Sequence, residues 1–235
     1  MQEQPKKRVG ILGGSFDPVH NGHLGLAHQV REEFRLDHVV FIPAHISPHK
    51  RDQKSAPAHH RLAMLRLAAG SSLHLQVSEI ELKRKGVSFT VDTLATLMAD
   101  QPQTDFFLIM GMDAFQGITT WKDAGRLLAL CHVIVAARPG HALEGIESLV
   151  TGLFADLPVH YRAPCKTGRV VTFAHEEAAT TLNFFDLVPM DVSSSGIRDR
   201  IRRNLEIKNM LPPEVENYII TFQLYRTSPT HIRVE

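Results

Sequence analysis

The run from Arg8 to Leu26, RVGILGGSFDPVHNGHLGL, constrains this chain more than any other stretch. A short apolar segment, Val9 to Leu12, meets two adjacent glycines, Gly13 and Gly14. Ser15, Phe16, Asp17 and Pro18 then form a turn, and an amphipathic segment follows with Leu24, Ala27, Val30 and Phe34 on one side. That order predicts a strand, a turn and a helix. Gly13 and Gly14 let a ligand approach the backbone closely, and the unpaired N–H groups at the helix start favour anions. His20 and His23, three residues apart, share one face of the first helical turn. Two imidazoles beside a phosphate-sized anion site point to phosphoryl-transfer chemistry. The plainer alternative is a glycine turn carrying two surface histidines.

Strand-like runs recur at Val39–Pro43, Leu75–Ile80, Phe106–Met110, His132–Ala136 and Phe184–Val188, with helical patterns at Leu24–Phe34, His59–Ala69, Val91–Ala99 and Asp123–Leu130 between most of them. Two further helices, Ser194–Arg203 and Pro213–Phe222, follow. This alternation predicts an α/β fold, a doubly wound and mostly parallel sheet with helices on both faces. Ligands of such sheets bind beyond the carboxyl ends of the strands. The 235 residues suit a single domain, with the Gly- and Pro-punctuated stretch 141–181 as a loop insertion or a small subdomain.

A net charge of +1 leaves no electrostatic footprint for nucleic acid or a membrane, so neither is an expected partner. Cys131 and Cys165 are too few for a disulfide framework, which fits a reduced, cytoplasmic setting. No signal-peptide core or membrane-length apolar run is present. The 14 histidines invite a zinc reading, in which His20 and His23 join His45 and His49. Without H-E-x-x-H or C-x-x-C that reading is weak, and it leaves the glycine turn without a role. Ser15 lacks a G-x-S-x-G elbow, so a serine hydrolase is weaker still.

Two other clusters carry polar chemistry. In VSSSGIRDRI, Ser193 to Ser195 are good helix caps, Ile197 and Ile201 form an apolar face, and Arg198 lies in the first turn. Hydroxyls, N–H groups and a guanidinium there would make a second anion cradle, against the alternative of an ordinary serine-capped surface helix. In GMDAFQGITTW, Gly111, Asp113 and Trp121 follow the FFLIM strand. Trp121, the only tryptophan, is either a stacking surface for a flat ring or a partly buried core aromatic.

The tetrad His20-Asn21-Gly22-His23 within GGSFDPVHNGHL resembles the H-x-G-H signature of the adenylyl/cytidylyltransferase superfamily, in the version found in bacterial nicotinate-nucleotide adenylyltransferases. VSSSGIRDRI resembles the superfamily's S-S-T-x-I-R, with Ser195 at the threonine position and the hydroxyl kept. GVSFTVDTL resembles G-x-S-Y-T-x-D-T-L, with Phe89 where the family has tyrosine. P-H-K at His49 and Lys50, A-R-P-G at Arg138, and LPPEVENYI near the C-terminus extend the likeness, which covers Val9 to Arg138 and Asp186 to Tyr225.

The resemblance implies a Rossmann-like fold of the H-x-G-H nucleotidyltransferase type and an enzyme that transfers AMP from ATP to nicotinate mononucleotide in NAD synthesis. His20, His23 and Arg198 would be catalytic. ATP would be held by Gly13, Gly14, Ser15, Phe16, His49, Lys50, Arg138, Ser194, Ser195 and Ile197, and Lys50 could as well be a solvated loop lysine. Thr90, Gly111, Asp113 and Trp121 would hold the mononucleotide, with Thr90 on its carboxylate. Mg²⁺ would ride mainly on the ATP phosphates, without a protein cage. Related alternatives are a nicotinamide-mononucleotide enzyme, a pantetheine-phosphate adenylyltransferase, and an idle nucleotide-binding regulator.

Overall fold

The computed structural model describes residues 5–46, 55–70, 72–137, 145–188 and 190–226. In chain order the elements are β1 (Lys7–Gly14), α1 (Asn21–Glu33), β2 (His38–Pro43), α2 (Ala58–Ala69), β3 (Leu75–Val77), α3 (Ile80–Arg84), α4 (Thr90–Asp100), β4 (Thr104–Gly111), α5 (Met112–Gln116), a 3₁₀ turn (Ile118–Thr120), α6 (Ala124–Leu130), β5 (His132–Ala137), α7 (Ile146–Leu153), β6 (Cys165–Thr167), β7 (Val170–Ala174), β8 (Thr181–Asp186), α8 (Ser194–Arg202) and α9 (Pro213–Thr221).

The strands make one sheet in the order β3-β2-β1-β4-β5-β8-β7-β6. The first six in that order run parallel, and β7 and β6 add an antiparallel edge. β1 is apolar on both faces because both are covered, as a parallel sheet requires. Val9 and Ile11 point into a cluster with Leu108 and Met110, while Leu12 joins Phe107 and Ile109 on the opposite face. Leu94, Leu127 and Val150 bring α4, α6 and α7 onto the first face. Val30, Met64, Ile197 and Val215 bring α1, α2, α8 and α9 onto the second. Burying each such side chain contributes about 1.5–3 kcal/mol, so the carboxyl end of β1 is held from both sides.

After β3 the chain returns to lay β4 beside β1, with Leu12 opposite Ile109. Strand order therefore reverses between β1 and β4, and a crevice opens beyond their carboxyl ends. Gly13 and Gly14, which end β1, and Gly111, which ends β4, lie at its edge.

Three segments differ from the sequence expectation. β3, an edge strand paired only with β2, stops at Val77, and Ile80 opens a short helix instead of ending the strand. β8 starts at Thr181, three residues before the apolar run suggests. Its early polar residues are engaged: Asn183 Nδ2 donates to the Val133 carbonyl oxygen (3.0 Å), and the Thr181 N–H donates to His132 Nδ1 (3.1 Å). Residues 145–174, unreadable from pattern, hold α7 and the β6–β7 hairpin, and β7 pairs with β8 in the same sheet. Among the described residues no helix is long and apolar enough to cross a membrane.

Candidate active site

The β1–α1 turn presents its histidines through cap geometry. His20 is the N-cap of α1 with extended backbone (φ −148°, ψ 171°), and its N–H donates to His23 Nδ1 at 3.3 Å. Because His23 Nδ1 accepts, a neutral His23 carries its proton on Nε2. The two rings stack with centroids 3.7 Å apart, and the Phe16 ring meets His23 edge-on at 5.1 Å. Phe16 takes a left-handed φ of 49°, turning its ring toward Gly14, where a Cβ would lie 3.1 Å from Phe16 Cζ. The bareness of Gly14 therefore makes room for Phe16, whereas Gly13 has open space.

His20 is 7% exposed, and its Nδ1 is buried without a hydrogen-bond partner. Burial lowers its pKa to about 4, so the ring is neutral near pH 7. A neutral imidazole with Nδ1 unprotonated can donate only from Nε2.

Arg198 reaches the same turn from α8. Its Nη1 donates to the Asp17 carbonyl oxygen (2.6 Å) and lies 3.8 Å from Asp17 Oδ2. Ser194 Oγ donates to the Pro18 carbonyl oxygen (2.8 Å), so this hydroxyl ties α8 to the turn. Ser193 caps the helix by accepting from the Gly196 N–H (3.1 Å), and Ser195 Oγ lies 3.3 Å from Ser193 Oγ. Ile197 is fully buried in the core and anchors α8, with its N–H donating to the Ser193 carbonyl oxygen (3.0 Å).

A cavity of about 390 Å³ opens beyond β1 and β4. It brings Gly13, Gly14 and His23 together with Thr90, Gly111 and Trp121. Trp121 does double duty, lining this cavity while packing half-buried against the core. Thr90 opens α4, whose N-terminus faces the same space.

Known proteins resemble this chain over most of its length. The family model described as cytidylyltransferase-like matches residues 11–200. A protein of Moorella thermoacetica named probable nicotinate-nucleotide adenylyltransferase is 38% identical over 93% of this chain and 92% of its own length. The one from Desulfitobacterium hafniense (strain Y51) is 37% identical over 94% of this chain and 97% of its own.

The chain belongs to the nicotinate-nucleotide adenylyltransferase family.

The fold agrees as well. Nicotinic acid mononucleotide adenylyltransferase of Plasmodium falciparum, solved in complex with NaAD, superposes with a TM-score of 0.69 over 93% of this chain and 97% of its own, at 19% identity. The family's ATP-using chemistry typically needs a divalent metal. Among the described residues no group of three or more His, Cys, Asp or Glu is placed to hold one.

In this adenylyltransferase-family chain, Asp113 is exposed on the first turn of α5 rather than in the cavity wall. His49, Lys50 and Arg138 lie outside the described residues. Sequence reasoning missed Arg61, which is 4% exposed and ties the β1–α1 connection to both ends of the β2–α2 connection. Its guanidinium donates to the carbonyl oxygens of Ser15 (2.8 Å), Ala44 (2.8 Å) and Ala56 (3.1 Å). Burial lowers its pKa, and Asp17 and Tyr225 work against that shift. The signal was legible: Arg61 shares an apolar stripe with Met64 and Leu65. Lys122 was missed too. It lines the cavity, with Nζ 5.0 Å above the Phe89 ring and 3.0 Å from Asp92 Oδ2.

Proposed function

We propose that this chain transfers AMP from ATP to nicotinate mononucleotide, forming nicotinate adenine dinucleotide and pyrophosphate. One observation carries the reading: His23 lies in the wall of a cavity that also holds Trp121 and Thr90, so a phosphate-binding turn and a ring-sized pocket share one crevice. The pocket suits a planar pyridine against the indole. Thr90, at the N-terminus of α4 in the cavity wall, suits a carboxylate on that ring, which favours the acid over the amide, while Lys122 Nζ is held by both oxygens of Asp92.

In this reading the mononucleotide's 5′-phosphate oxygen attacks the α-phosphorus of ATP in line. A new P–O bond forms, the bond to the β-phosphate's bridging oxygen breaks, and pyrophosphate leaves with the electron pair. The attacking phosphate has a second pKa of about 6, so it needs no strong general base. Positioning and charge neutralisation supply the catalysis. His23, with its proton on Nε2, and neutral His20 donate to phosphate oxygens, and Arg198 carries positive charge to the same turn. Mg²⁺ would contribute charge neutralisation at the phosphates. Asp17 is a poor ligand for it because its Oδ1 already accepts from Tyr225 and Ala56, which fits an ion borne by phosphate and water.

Incubation with ATP, Mg²⁺ and nicotinate mononucleotide, followed by chromatography, tests this. Stoichiometric nicotinate adenine dinucleotide and pyrophosphate are expected. Absence of both from folded protein would overturn the proposal.

A further inference from the structure

The segment after α9 reaches back to the β1–α1 turn. Tyr225 is half-buried against the core, and its hydroxyl donates to Asp17 Oδ1 at 2.8 Å. The Ala56 N–H donates to the same oxygen at 3.1 Å. Asp17 is 4% exposed, and its other oxygen, Oδ2, faces Arg198 Nη1 at 3.8 Å. That separation is longer than a charge-assisted hydrogen bond, which runs at about 2.7–2.9 Å. Arg198 instead bonds the Asp17 backbone carbonyl oxygen. A carboxylate free to turn would pair both oxygens with the guanidinium, the fork-on-fork geometry such groups favour. Two donors on Oδ1 oppose that rotation.

We infer that Tyr225 is a positioning residue for the adenylyl transfer: it holds the Asp17 carboxylate in an orientation that leaves the Arg198 guanidinium available to phosphate. The idea rests on the role proposed above for Arg198. Several features support it. Burial and then the neighbouring Asp17 charge raise the Tyr225 phenol far above its ordinary pKa, so the hydroxyl remains a donor across the working pH range. Arg61 adds a second cation behind the turn, with its donors committed to backbone carbonyl oxygens, so it holds the loops and leaves Asp17 Oδ2 facing Arg198. Tyr225 itself does not line the cavity and acts through Asp17.

A double-mutant cycle on the full chain tests it, using Tyr225→Phe, Arg198→Ala and the pair, with thermal melts of each. Tyr225→Phe should lower kcat roughly tenfold, a coupling ordinary for neighbours in one polar network. It should leave KM for the mononucleotide unchanged. In the Arg198→Ala background the same substitution should cost nothing further. Asp17→Asn provides a second arm and should be equally non-additive with Arg198→Ala. Fully additive losses, or equal damage to both substrates' KM together with a large fall in melting temperature, would make Tyr225 a structural anchor and overturn the inference. Near-normal kcat in Arg198→Ala would instead remove the role proposed for Arg198 itself.

Discussion

His20 and Gly22 are packed against each other: a Cβ on Gly22 would stand 3.0 Å from His20 Nδ1 and 3.1 Å from Val192 Cγ1. The glycine inside the tetrad is thus a packing requirement of the histidine before it. Gly22→Ala should displace the His20 ring and lower kcat, with a modest change in melting temperature. Steady-state kinetics beside a thermal melt check this, and unchanged kcat would show that the ring tolerates the methyl group.

The stacked pair His20 and His23 should be separable from simple binding. Each alanine substitution is expected to lower kcat by about 10²-fold or more, the scale for losing one transition-state donor. ATP affinity, measured by calorimetry, should fall much less. A variant with near-normal kcat at saturation would remove that histidine from the chemistry.

Burial of His20 also has a pH signature. Its folded pKa, about 4, lies below the 6.5 of the unfolded chain. The unfolded state therefore binds the proton first as pH falls. The stabilisation is fully present above pH 6.5, is lost progressively as pH drops toward about 4, and is on the order of 3 kcal/mol. His38, His60 and His132 are shifted the same way, mainly by burial, so the wild type alone is not diagnostic. Urea midpoints at pH 7.5 and 4.5 should fall further for wild type than for His20→Gln. Parallel losses would mean that His20 titrates normally.

The local pattern around the glycine turn carried most of what could be read in advance. A strand, a turn and a capped helix follow from Val9 to Phe34 by short-range rules, and the sheet follows from the alternation of periods. What stayed hidden is long-range. Nothing local says that Tyr225 reaches Asp17, or that Arg61 donates to the carbonyl oxygens of Ser15 and Ala44. Such contacts join residues far apart in the chain and depend on how the layers stack. Thr181 and Asn183 misled for a related reason: polar residues read as loop, yet their partners Val133 and His132 lie on the neighbouring strand. Sequence spacing also does not show that Gly14, which lines the cavity, has the Phe16 ring beside it.

Trp121 lines the cavity and touches the core at once, so its two roles need separating. An offset aromatic contact contributes roughly 0.5–1.5 kcal/mol beyond area burial. Trp121→Ala should raise KM for the mononucleotide about tenfold, burial included, and leave KM for ATP nearly unchanged. Equal loss for both substrates with a large fall in melting temperature would assign the indole to the core alone.

The most direct measurement is kcat/KM with ATP and three acceptors in parallel: nicotinate mononucleotide, nicotinamide mononucleotide and phosphopantetheine. A charged carboxylate met by hydrogen bonds of about 1.5–3 kcal/mol each should give the acid roughly a ten- to hundredfold advantage over the amide per contact. Phosphopantetheine, which has no flat ring to place against Trp121, should give no turnover. Equal or better turnover with the amide or with phosphopantetheine would contradict the assignment.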